Sequence, residues 1–290
     1  MRNGVAVYEK QYVPDDWGAT ESIVKLRAQR EVDLIKLMAD SDAFGGPLGV
    51  VRIEQCDPQK ATISTFEIPG KSLDQWIKRS AQAKTTQTAV ELAGRWIRAF
   101  QSLPLTKNAN KRFSEYDPES IRDYCELRLN SLKGYGYSWP DTAMRERILE
   151  RIGDLENNCS DADQQDVWVH ADFAPGNIMW DGETVTGIDF AMARSGRPLD
   201  DATYFIHRLE MQEVYRPWRS FPVQQWRSGF LREYGRPDAA DSAMYQLLMA
   251  KHLVCRLHTY VRRPATSHKQ AIHDVWVRQV LRRKLKQFAR

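Results

Sequence analysis

Asp172 and Asn177 stand five positions apart in Val167-Trp168-Val169-His170-Ala171-Asp172-Phe173-Ala174-Pro175-Gly176-Asn177-Ile178-Met179-Trp180, and Asp189 follows in Thr186-Gly187-Ile188-Asp189-Phe190. A carboxylate, an amide and a second carboxylate in the pattern His-x-Asp-x-x-x-x-Asn, with an Asp-Phe behind it, have the spacing of a phosphoryl-transfer loop. That chemistry needs positioning and charge stabilisation more than covalent help. Asp172 is the expected catalytic base, accepting or orienting the proton of an attacking hydroxyl. Asn177, through its amide oxygen, and Asp189, a hard carboxylate, are the expected Mg2+ ligands. Pro175-Gly176 bends the loop so that Asp172 and Asn177 can face one site.

Short apolar runs must hold this loop. Val167–Val169 reads as a buried strand, Ile178–Trp180 as a second and Val185–Ile188 as a returning third, with Asp181-Gly182 as the turn between the last two. His170 is expected to orient the loop by hydrogen bonds rather than to act as a base or ligand. Asp200 and Asp201 follow closely; one of them is expected to anchor the loop through backbone N–H groups, a role compatible with capping the helix over 202–209.

Upstream, Asn3-Gly4 is a tight-turn signal and residues 5–12 read as a strand with Ala6, Tyr8, Lys10 and Tyr12 on one face. After Pro14-Asp15-Asp16-Trp17-Gly18, a helix is expected from about Thr20 to Met38, with Glu31, Leu34, Ile35 and Met38 on one face. A glutamate on an apolar face is costly unless paired. Lys10 is the expected partner, in the order of a strand lysine that holds the α/β-phosphates of a nucleotide and a helix glutamate that holds the lysine. Lys25, inside the helix pattern, is a poorer lysine for this role, and Arg27 is the alternative partner for Glu31. Residues 49–53 and 61–67 read as a hairpin around Asp57-Pro58. Ile68-Pro69-Gly70 then breaks the pattern, and Glu67 and Ile68 are candidates to offer groups to a nucleotide base, a plain turn being the alternative. Only nine residues with one glycine precede Lys10. The expectation is a lean N-terminal lobe without the usual Gly-rich phosphate hairpin, or a start downstream of the true one.

Helices are expected over 88–103, 118–132 and 141–158, the last with Asp141 as its N-cap. Trp218, Phe221, Trp226, Phe230, Leu231 and Tyr234 suggest further helices with an aromatic buried side, and residues 244–261 another. The tail, 272–288, sets Val275, Trp276, Val280 and Leu281 against Arg278, Arg282, Arg283, Lys284 and Lys286. A helix packed on its own lobe is favoured there over contact with an anionic membrane.

The 290 residues carry a net charge of +4, too mild an excess to argue for nucleic acid. Four scattered cysteines form no C-x-x-C, the N-terminus has no apolar signal core, and no run approaches membrane-spanning length, so a cytoplasmic protein is expected.

His170-Ala171-Asp172-Phe173-Ala174-Pro175-Gly176-Asn177, Ile188-Asp189-Phe190, and Lys10 with Glu31 together resemble the aminoglycoside phosphotransferase and choline kinase-like family. The order of elements extends the resemblance over nearly the whole chain. It implies an α+β, protein-kinase-like two-lobe fold, with a small antiparallel β N-lobe (apparently shortened) over 1–70 and a large, mostly helical C-lobe over 71–290. It further implies Mg2+-dependent transfer of the γ-phosphoryl of ATP or GTP to a hydroxyl, with Asp172 as base and Asn177 and Asp189 on the metal. Ala171 stands where protein kinases place arginine, Asp189-Phe190-Ala191 lacks their glycine, and no Ala-Pro-Glu follows. The expected acceptor is therefore a small hydroxylated molecule: a sugar, glycolipid, amino alcohol or aminoglycoside. The alternative is a nucleotide-binding pseudokinase or regulatory protein, disfavoured because Lys10, Asp172, Asn177 and Asp189 are all present. A phosphohydrolase using His170 and Asp172 as ligands ranks last, because the other histidines form no pair with an acid at metal spacing.

Overall fold

The computed structural model describes residues 6–14, 20–81, 83–107, 109 and 120–290. The Asn3-Gly4 turn, residues 15–19 of the connection after β1, and Pro118 lie outside the described residues. In chain order the elements are β1 (Val7–Gln11), α1 (Glu21–Ala39), β2 (Leu48–Gly49), β3 (Ile53–Asp57), β4 (Thr62–Phe66), β5 (Lys71–Ser72), α2 (Leu73–Ser80), α3 (Lys84–Gln101), α4 (Ile121–Ser131), α5 (Thr142–Asn157) and α6 (Asp161–Gln164). There follow β6 (Val167–Val169), β7 (Ile178–Trp180), β8 (Val185–Gly187), β9 (Arg194–Gly196), α7 (Leu199–Tyr215), α8 (Val223–Tyr234), α9 (Ala243–Arg262) and α10 (His268–Phe288). The class is α+β, a kinase-like fold with a small antiparallel β lobe and a helical remainder.

The chain forms two compact units. The first comprises residues 1–116, 165–206 and 222–237. Its N-terminal sheet has the order β1-β4-β3, all antiparallel, and Lys10 sits opposite Ile63. The turn after β3 is closed by Asp57, whose carboxylate accepts from the N–H groups of Gln59 and Lys60. Helix α1 is capped by the Thr20 hydroxyl and packs Val24, Ala28 and Val32 against Tyr12, Ala61 and Ile63. A second sheet, β2-β8-β7-β5, and a β6-β9 pair carry the loop that holds Asp172.

The expected hairpin over 49–53 and 61–67 is corrected in its first strand. The hairpin partner of β4 is Ile53–Asp57, whereas Leu48–Gly49 pairs in parallel with Val185 and Thr186 of β8. Gly49 permits this: a Cβ there would lie 2.2 Å from the Thr186 hydroxyl. Strand β9 carries too short and polar a sequence to be recognised in advance; it is built by pairing with β6.

Beneath the sheets α3 supplies the core. Trp96 stacks near Phe100, Phe173 and Phe190, and its indole N–H donates to the Gly49 carbonyl at 3.0 Å. Phe230 of α8 extends the aromatic cluster through Phe205.

The second unit comprises residues 117–164, 207–221 and 238–290. Here α9 packs on α4, α5 and α10. Asp141 caps α5 as expected, accepting from Met144 N–H. Two expectations are corrected. Trp218 is no part of a buried helical side: it is 79% exposed, in a turn between α7 and α8. In α10 the buried side chains are Asp274, Val277, Leu281 and Leu285, while Val275 and Trp276 face solvent. The cause is Asp274, which turns inward to a two-pronged ion pair with Arg263 and rotates the helix with it. Among the described residues no helix is long and apolar enough to cross a membrane.

Gly187 ends β8 against the Trp96 ring, where a Cβ would lie 2.5 Å from ring carbon. Gly187→Ala is therefore expected to lower stability by about 1–3 kcal/mol through overpacking, read as a drop in urea midpoint at an unchanged m-value.

Candidate active site

Strand β1 delivers Lys10 and helix α1 delivers Glu31. Their side chains meet at 3.0 Å, and Lys10 also pairs with Oδ1 of Asp189. The Lys10 ammonium lies 4.5 Å from the Tyr12 ring centroid, on the same strand face. Glu31 is buried. Burial pushes its carboxyl pKa above the ordinary range, and the charge of Lys10 opposes that shift. The second oxygen of Glu31 accepts the N–H of Phe190 at 3.4 Å, so one side chain holds both the lysine and the backbone beside Asp189. Lys10 is thus a residue that Glu31 pairs with, as the sequence order suggested.

The loop after β6 is tied down from below. Asp201, in the first turn of α7, accepts the N–H of His170 at 2.6 Å and of Ala171 at 2.9 Å. Of the two acids weighed as anchors, Asp201 does this, and Asp200 accepts from Arg197 N–H instead. The clamp spans a left-handed residue: Ala171 has φ 63°. Such a conformation costs a non-glycine residue of order 1–3 kcal/mol and persists only where neighbours enforce it. Asp189, φ 67°, is the matching case at the other end of the site.

His170 connects the two. Its Nε2 lies 2.9 Å from the Ile188 carbonyl, which can only accept, so Nε2 carries the proton and donates. Burial lowers the pKa of the ring, which therefore stays neutral, packed among Phe100, Phe173 and Phe190. A neutral imidazole in this setting orients the loop, as its position before Asp172 suggested. The Asn177 amide nitrogen donates to the Asp172 carbonyl at 2.9 Å and to its Oδ2 at 3.0 Å. Those two acceptors fix the amide orientation and leave the Asn177 oxygen on the opposite side.

Glu67 and Ile68 directly follow β4. Glu67 N–H donates to the Ala6 carbonyl, and the Glu67 carboxylate accepts from the Tyr8 hydroxyl. By strand register Glu67 lies four positions along the sheet from the level of Lys10, and Ile68 follows it.

Arg30 escaped the sequence reading. It is buried, and Nη1 donates to the Ala193 carbonyl at 2.8 Å. With Glu31 on Phe190, two consecutive residues of α1 grip the segment after Asp189, and Ala191 packs against the apolar cluster that α1 helps to form. Desolvation and nearby Arg194 lower the Arg30 pKa to about 10, leaving it charged at neutral pH. A lone arginine beside an apolar helix face carries no mark in the sequence; its value comes from a carbonyl far along the chain.

The model of the Phosphotransferase enzyme family (APH) matches residues 24–247, most of the chain. The chain belongs to that family and is a phosphotransferase. Solved structures share the fold at low identity. The amicoumacin kinase hAmiN, in complex with AMP-PNP, Ca2+ and Ami, aligns at TM-score 0.52 and 14% identity, over 98% of this chain and 87% of its own. The streptomycin–ATP–APH(2")-IIa ternary complex aligns at 0.55 and 12%, over 99% and 94%. Choline kinase LicA from Streptococcus pneumoniae aligns at 0.55 and 12%, over 98% and 87%. No curated protein matches the chain in sequence.

Burial pushes the Asp201 pKa up to about 7 against the pull of its two backbone donors. Its ionisation therefore costs the folded state. The cost is absent below the unfolded value near about 4 and fully present above the folded one. The stability of the protein relative to Asp201→Asn is expected to fall as pH rises from about 4 to about 7 and to level off beyond; a flat difference in chemical-denaturation curves would count against this. Separately, Arg30→Met is expected to cost about 1–3 kcal/mol by leaving the Ala193 carbonyl unpaired, with faster amide exchange confined to residues 189–194.

Proposed function

We propose that this phosphotransferase moves the γ-phosphoryl of ATP or GTP, in an Mg2+-dependent reaction, to a hydroxyl of a small molecule. The observation that carries this is the joining of Lys10, Glu31 and Asp189 by direct contact, with the Asp172–Asn177 pair linked to them through His170 and Ile188. On this reading residues 1–70 are the nucleotide lobe and 71–290 the catalytic and acceptor lobe.

Asp172 receives the acceptor hydroxyl. The Asn177 amide holds Oδ2, which leaves Oδ1 to orient that hydroxyl and take its proton as the phosphoryl departs from the nucleotide. Lys10, steadied by Glu31, directs its charge to the α- and β-phosphates. Glu67 and Ile68 offer backbone groups to the base. The residues also fit a metal. Lys10 occupies one oxygen of Asp189, and the Asn177 amide oxygen is turned away from Asp172, so two hard oxygen donors are on hand. One or two protein oxygens, completed by phosphate oxygens and water, are the usual setting for Mg2+. When bound there, the ion would offset negative charge on the phosphates.

Aminoglycosides and amino alcohols lead the acceptor panel because streptomycin and choline name two of the fold neighbours; sugars and glycolipids complete it. The test is nucleoside-diphosphate release with ATP or GTP and Mg2+ across that panel, with product phosphate followed by phosphorus NMR. Asp172→Asn is expected to lower kcat about 10²–10⁴-fold with nucleotide binding retained. Nucleotide binding without acceptor-dependent turnover, unaltered by Asp172→Asn, would instead indicate a regulatory nucleotide-binding protein.

A further inference from the structure

Four of the exposed large apolar side chains gather in the second unit. Ile272 is 73% exposed and Trp218 79%, with Val275 and Trp276 also open to solvent. Ile272, Val275 and Trp276 occupy one stripe of α10, at i, i+3 and i+4, opposite the buried stripe of Asp274, Val277, Leu281 and Leu285. The Trp276 indole donates to the Val214 carbonyl at 2.8 Å, and His273 lies beside Tyr215. The end of α7 is thereby fixed against this part of α10, and the turn carrying Trp218 leaves from that point, closed by Arg219 N–H on the Arg216 carbonyl.

The patch is ringed by positive charge. Arg216 and Arg219 flank Trp218, Lys269 stands one turn before Ile272, and Arg283 lies two turns beyond Trp276 on the same exposed stripe. Arg216 bonds to the neutral Gln212 rather than to an acid. Glu213 is the exposed acid near the patch, and Asp274 is turned inward and paired.

Two tryptophans and two aliphatic side chains amid basic residues have the composition of an interfacial membrane contact: indole and alkyl groups enter the headgroup region while the cations meet lipid phosphates. A two-fold pairing with a second copy would bring the basic rim of Arg216, Lys269 and Arg283 against the same basic rim of the partner copy, a like-charge contact. We propose that this face docks the protein on an anionic phospholipid surface. The inference is independent of the acceptor and of the nucleotide site.

The experiment is co-sedimentation of the full chain with vesicles of phosphatidylcholine, with and without phosphatidylglycerol. Binding is expected only with phosphatidylglycerol, reversed by high salt, and weakened roughly fivefold for each of Arg216→Gln and Lys269→Gln. Trp218→Ser combined with Ile272→Ser is expected to abolish it while melting temperature and phosphotransfer stay unchanged, since both side chains lie on the surface. Protein that stays in the supernatant with both vesicle types overturns the proposal. So does equal binding to both, or a lipid-free dimer in sedimentation velocity that the serine variants dissolve.

Discussion

A carboxylate taken almost wholly out of water must find a cation, and Glu31 is placed so that Lys10 is that cation. The requirement reaches further than the pair. Glu31 lies on the same face as Leu34, Ile35 and Met38, so packing α1 on the fold drives the charge inward with the apolar side chains. Strand β1 must then present Lys10 at the right register, which its antiparallel pairing with β4 does. The second oxygen of Glu31 captures Phe190 N–H, and Lys10 captures Asp189, so the solution to one desolvation problem brings N-terminal strand, helix and metal-ligand candidate to one place.

The other half of the site is held by a similar exchange of burial for order. Ala171 and Asp189 both adopt left-handed backbone without being glycine. Each is braced by a group that cannot easily leave: Asp201 beneath His170 and Ala171, and α1 behind Phe190 to Ala193. His170 joins the two strained points, from a pocket of aromatic rings that gives it no reason to take up a proton. Strain stored at both ends and rigid packing between them hold the loop against thermal blurring, which positional catalysis requires.

Legibility in the sequence followed the range of the forces. The pattern of the loop from His170 to Asn177, the hairpin behind it and the Asp141 cap is written in residues a few positions apart, and spacing alone located them, although the clamp of Asp201 on the loop reaches thirty residues back. The Lys10–Glu31 pair was accessible because a buried charge demands a partner and few were on offer. Strand β9 depends on a partner more than twenty residues back, and the detour of Gly49 to β8 and Arg30 on partners more than a hundred residues distant, with no local trace. In α10 the periodicity was right and its phase wrong: hydrophobicity ranks Trp276 above Asp274, but an aspartate matched to Arg263 is the better inward residue, and a pairwise ion contact outweighed the apolar stripe.

The charges of the site bear on what it can hold. Glu31, Asp172 and Asp189 against Lys10 leave a formal −2 among four side chains, with Lys10 shared between two of the carboxylates. A nucleotide polyphosphate entering there adds further negative charge in a partly desolvated space, where repulsion is stronger than in water. Lys10 cannot neutralise both the phosphates and Asp189. On the proposed reading, as its charge turned to the phosphates Asp189 would lose that partner, and a second cation would be needed at the place where the Asn177 amide oxygen is turned outward. On that reading the metal and the nucleotide would meet one electrostatic condition, and neither ligand is expected to bind tightly without the other.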